Sequence, residues 1–75
     1  MNEKRRKRLR EAVGHLEDAL CIVQDVSLEE QLAHDNLPDV FQYGEQGERM
    51  EEVVSNLQEA ESLIQEATQL VGESV

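Results

Sequence analysis

Between Glu48 and Val71 the apolar residues keep a period of seven: Met50, Leu57, Ile64 and Val71 form one series, Val53, Ala60 and Ala67 a second beside it. On a helix these are the a and d positions of a heptad, so the segment carries one apolar seam down one side. Leu63 and Leu70 widen the seam on one flank. Glu51, Glu52, Gln58, Glu59, Glu61 and Glu66 cover the outside. A seam of this kind needs a partner surface, and the rest of the chain is read for it.

Upstream, Leu9, Leu16 and Val23 repeat at seven, as do Ala12, Ala19 and Val26, with Val13 and Leu20 broadening the face. The spacing predicts a first helix over about 3–34, with Asn2 as its N-cap. Gly14 and Cys21 fall on the opposite face, where a glycine costs about 1 kcal/mol in propensity. Ile22 sits off the seam and suggests a second buried contact. After Val26 the register breaks, because the next a position is Glu30. Ser27-Leu28-Glu29-Glu30 has the form of a capping box. The helix either restarts there or runs on with its apolar face turned toward Leu28 and Leu32; continuity with a bend is the expectation. Asp35-Asn36-Leu37-Pro38 then stops it, since Asn tolerates the left-handed conformation and Pro38 disfavours helix at Leu37.

Residues 35–46 make the connection. Val40, Phe41 and Tyr43 are too apolar for a free loop and are expected to fold over the end of the bundle. A helical turn at Asp39–Gln42 would be ended by Gly44. The second helix is expected over about 47–72, opening near Gly44 or Glu45, with Glu45 and Glu48 suited to its positive N-terminal end. The fold class is therefore all-α: residues 1–75 form a single antiparallel helical hairpin. Alanines in both seams (Ala12 and Ala19 against Ala60 and Ala67) would allow close packing. A 75-residue hairpin without disulfides buries too little surface to be comfortable alone. Self-association into a homodimeric four-helix bundle or a larger oligomer follows, with Leu9, Leu16, Ile22, Val23, Leu57, Leu63, Ile64 and Leu70 as the candidate interface.

Charge divides the chain sharply. Residues 1–10 carry six basic side chains against Glu3, a sum of +5; residues 11–75 carry sixteen acids against Arg49, a sum of −15. Lys4, Arg5, Arg6, Arg8 and Arg10 are a candidate anion site for a nucleotide, nucleic acid or acidic protein patch. The competing reading is neutralisation by Glu66, Glu73 and the C-terminal carboxylate at the adjacent end of the second helix. The acidic body is either a solubilising surface or a decoy for nucleic acid. With Phe41 and Tyr43 as the sole aromatics, a stacking platform for single strands is not expected.

No catalytic, cofactor or metal site is expected. His15 and His34 lack a second His or Cys at ligand spacing, and Cys21 lacks an activating neighbour. Glu17-Asp18, Glu29-Glu30 and Glu51-Glu52 are adjacent pairs that point apart on a helix. Gly44 and Gly47 lack the motif of a phosphate loop. Neither a secretory leader nor a bilayer span is expected, which predicts a reducing cytoplasm and no membrane.

From Glu29 onward the sequence resembles small acidic helical proteins of bacteriophages and prophages. The residues that carry this are Glu29-Glu30-Gln31, Asp35-Asn36-Leu37-Pro38, Glu48-Arg49-Met50-Glu51, Asn56-Leu57, Ala60, Ile64, Glu66 and Ala67, about two-thirds of the chain. In that group an acidic-Asn-Leu-Gln turn and a Ser-Glu helix start usually follow the proline. Here Asp39-Val40-Phe41-Gln42 and Gly44-Glu45 stand instead. The resemblance implies a phage origin, a bacterial host cytoplasm and a helical hairpin, and no agreed function. The expected function is a non-enzymatic interaction protein that binds and inhibits a host macromolecule, a component of antiviral defence being one target. The alternatives are an oligomer that sequesters a nucleotide signal or short nucleic acid through its basic end, and a structural or assembly part of the virion.

Overall fold

The computed structural model describes all 75 residues. Helix α1 (Glu3–Asp35) and helix α3 (Glu45–Glu73) run antiparallel, joined by a one-turn helix, α2 (Asp39–Gln42). The result is a rod of 58 × 14 × 12 Å. No helix is long and apolar enough to cross a membrane.

Asn2 opens α1 as the sequence predicts: its Oδ1 accepts the Arg5 backbone N–H at 2.9 Å. The helix then runs without interruption to Asp35, so Ser27 does not restart it. Ser27 is instead buried in the contact between the helices. No left-handed residue ends α1: Asn36 has φ −89° and ψ −2°, and its N–H donates to the Leu32 carbonyl. The extended backbone at Pro38 turns the chain into α2. The second long helix opens at Glu45, with Gly44 in extended conformation at its N-cap.

The seam differs from the expected one in the second series of α1. On α1 the inward residues are Leu9, Val13, Leu16, Leu20, Val23 and Ser27, alternating steps of four and three, and the row continues through Glu30, Gln31 and His34. Ala19 and Val26 lie outside it, exposed. A straight helix holds its register whatever the residue type, so the face does not rotate after Val26. Leu28 and Leu32 consequently point outward, more than half exposed, and polar side chains fill the loop end of the seam. On α3 the inward row is Met50, Val54, Leu57, Glu61, Ile64, Thr68 and Val71, and the expected series Val53, Ala60 and Ala67 lies half-buried beside it.

Burial is thin everywhere. Val54, at 5 % exposure, is the one buried hydrophobic side chain. The accessible surface is 5701 Å² for a mass of 8.6 kDa; a compact monomer of that mass has about 4,700 Å². The difference is what one helix layer without a second layer costs.

Candidate functional site

Each residue that immediately precedes a seam residue is turned by about 100° from it round the helix. On α1 these residues are Ala12, Ala19, Ile22 and Val26; on α3 they are Val53, Ala60, Leu63, Ala67 and Leu70. An approximate two-fold axis normal to an antiparallel hairpin relates its helices, so both rows emerge on the same side of the rod. Ile22 is 63 % exposed, and Leu63 and Leu70 are close to it. Residues that follow a seam residue form the other side. On α3 these are Glu51, Ser55, Gln58, Ser62, Gln65, Gln69 and Gly72, none of them an apolar side chain. On α1 they are Arg10, Gly14, Glu17, Cys21, Gln24 and Leu28, so this side is mostly polar, with Leu28 the one large exposed apolar residue among them, and the other side is mostly apolar.

This geometry sorts the candidate interface residues. Leu9, Leu16, Val23, Leu57 and Ile64 face the opposite helix, half-buried within the same chain. Ile22, Leu63 and Leu70 lie on the open side. Ile22 makes no second buried contact within the chain. The periodicity identified the apolar residues; it could not divide them between two faces, because a and d series alone do not reveal which neighbouring series turns inward.

The basic cluster occupies the first turns of α1. Arg6 and Arg10 pair with Glu3 of their own helix, Arg6 at 3.9 Å. Lys4, Arg5, Lys7 and Arg8 have no carboxylate within ion-pair distance. Neutralisation across the hairpin does not occur: neither Glu66 nor the C-terminal carboxylate reaches a basic side chain, and Glu73 accepts from Gln69 instead. The antiparallel hairpin brings the two termini to the same end of the rod, yet the basic side chains there find a carboxylate only in Glu3 of their own helix. Arg5 and Arg8 flank an open hollow of about 440 Å³ floored by Met1, Leu9 and Ala12. Two guanidinium groups over an apolar floor can take an anion joined to a flat or greasy body.

At the other end, α2 turns Val40, Phe41 and Tyr43 outward, Tyr43 to 83 % exposure, so they do not close the end of the bundle. Its backbone, not its side chains, packs against α3 at Gly47. Gln42 holds this end together: its Nε2 donates to the carbonyls of Leu37 (2.8 Å) and Asp35 (3.2 Å). Nothing in the sequence marked Gln42 as a tie. His34 is the one polar side chain that bridges the long helices. Its Nε2 lies 3.2 Å from Glu51 Oε1, though the angle denies it a well-directed hydrogen bond. Its Nδ1 lies 3.4 Å from Asp35 Oδ1. No group of three His, Cys, Asp or Glu side chains is placed to hold a metal ion, and Cys21 is exposed and free. This chain matches no protein-family model, no curated protein and no solved structure.

Proposed function

We propose that this chain is a non-enzymatic interaction protein that associates with itself and binds a macromolecule of the bacterial host. One observation carries the reading: Ile22, Val26, Leu63 and Leu70, all exposed, share one side of the rod with the half-buried Ala60 and Ala67. Singly exposed apolar residues are ordinary, whereas a contiguous patch marks a docking surface. The loop end, with Phe41 and Tyr43 exposed among Asp35, Asp39 and Glu45, supplies a second surface for the target. Inhibition follows if that surface occupies the target's own binding site. Sedimentation of the purified chain tests self-association. Capture of a host protein that is abolished by Phe41→Ser with Tyr43→Ser supports the target surface; recovery of phage head or tail components would favour the structural alternative.

The nucleotide-sequestering alternative has its own support in the four unpaired cations and the hollow between Arg5 and Arg8. Calorimetry with nucleotides and short DNA tests it. Binding abolished by Arg5→Ala with Arg8→Ala favours this reading, and no heat at micromolar protein removes it.

A further inference from the structure

We propose that a second copy of this chain covers the apolar side, and that it lies antiparallel, each copy's basic tip against the other's acidic loop end. The proposal rests on the self-association part of the function above and adds its face and its sense.

The area suits this occupant. The open side measures about 58 by 14 Å, a footprint on the order of 800 Å², which is what each partner contributes to an interface of standard size. The excess surface over a compact monomer is of the same order. The side is also free of acids where it is most apolar: besides alanine and larger apolar residues, positions 8–26 and 49–70 of these rows hold only Arg8, His15, Arg49 and Asn56. In a chain with seventeen acids and a net charge of −10, an acid-free stripe is the part that two identical copies can bring together without repulsion.

Charge then selects the sense. Residues 20–61, the loop half of the rod, carry eleven acids against Arg49, a net of −10; residues 1–19 and 62–75 carry six acids against six basic side chains and are neutral. A parallel pair would align the two −10 halves and set one cationic tip beside the other. An antiparallel pair sets each −10 half against a neutral half whose cations are all within its first ten residues. Like charges juxtaposed across an interface cost several kcal/mol, and opposite charges fix register. In the antiparallel pair α1 lies over α1 and α3 over α3, so residues equidistant from the centre meet. Ile22 then sits by Ala19 of the second copy and Leu63 by its Ala60, large against small. Arg5 and Arg8 reach toward the loop end of the second copy, where Glu29 precedes the seam residue Glu30 on the same side, an acid their own chain does not offer.

The test combines a distance with two variants. Cys21 is exposed, and a side chain added at Gly72 meets nothing within 4 Å, so Cys21→Ser with Gly72→Cys gives one spin label near the basic tip. Gly72 lies about eleven residues from the rod's centre, so at 1.5 Å per residue the antiparallel pair separates the labels by roughly 35 Å, a parallel pair by less than about 20 Å. A long distance is expected. A short one overturns the antiparallel sense while leaving self-association standing, and a monomer at several hundred micromolar overturns both. Ile22→Glu with Leu63→Glu is expected to raise the dimer dissociation constant at least a hundredfold; an unchanged constant overturns the face. Arg5→Glu with Arg8→Glu is expected to raise it about tenfold. A tighter dimer would overturn the proposal, because reducing the tip charge relieves repulsion only when the tips are side by side.

Discussion

Gly47 lies against the backbone carbonyl of Gln42 so closely that a Cβ at Gly47 would enter it, with the Phe41 carbonyl 2.6 Å away. The close approach of α2 to α3 exists because position 47 has no side chain. Gly47→Ala is therefore expected to cost about 1–3 kcal/mol, the range for overpacking a site whose neighbour is backbone. Gly14 meets nothing within 4 Å in mid-helix, so Gly14→Ala should instead stabilise by about 0.5–1 kcal/mol through propensity. Urea denaturation of the two variants checks the opposite signs; equal effects would show that the loop does not need the glycine.

Gln42 is the second half of that arrangement. Its amide serves the carbonyl of Asp35, the last residue of α1, which a helix terminus leaves without an intrahelical partner, and that of Leu37 just beyond the C-cap. Gln42→Ala should cost about 1–2 kcal/mol and should raise amide exchange at Phe41–Gly44 well before it affects the middle of α3. Hydrogen exchange read residue by residue decides this. Uniform acceleration along the rod would mean that Gln42 is not a local tie.

His34 occupies a seam position with its side chain 11 % exposed, yet its Nε2 has a carboxylate nearby and no well-directed hydrogen bond. A buried donor or acceptor left without a partner costs about 1–3 kcal/mol. His34→Leu removes that cost and puts an apolar side chain at a position only 11 % exposed, so it should raise stability by about 1 kcal/mol. Thermal unfolding measures the sign. A loss of similar size would show that the contact with Glu51 holds the helices together more than the imidazole's burial opposes them.

Much of this architecture is legible in the residues themselves. Period seven, Asn2 at the start of α1, and the Asn36-Leu37-Pro38 stop are local signals, and local physics decides them. The face that turns inward is not local. Ala19 and Leu20 both continue a series from Leu16, and only the approach of α3 selects Leu20. The same holds for Leu28 and Leu32, whose apolar character promised burial on a helix that had already committed its other face to the partner. Phe41 and Tyr43 fail as predictors for a further reason: α2 docks through its backbone at Gly47, so its side chains are free to point away. The basic cluster stands out in the sequence, but which carboxylates reach it is set by side-chain geometry at the open end of the hairpin, where Glu3 of the same helix pairs with Arg6 and Arg10.

The division between the two faces yields a last expectation about folding. Val54 is the single apolar side chain removed almost completely from water. Val54→Ala deletes two methyl groups there, at roughly 0.8 kcal/mol each before any cavity term, and should destabilise by about 2 kcal/mol. Leu32→Gln changes a larger apolar residue on the outward face of α1, where more than half of it is already in water, and should alter stability by less than about 0.5 kcal/mol. Concentration separates folding from association in this comparison. If unfolding is followed at several protein concentrations, the Val54→Ala loss should persist at all of them. A Leu32→Gln loss that grows as the protein is concentrated would instead place Leu32 in an interface, and the apolar side defined by Ile22 and Leu63 would no longer be the whole of the self-association surface.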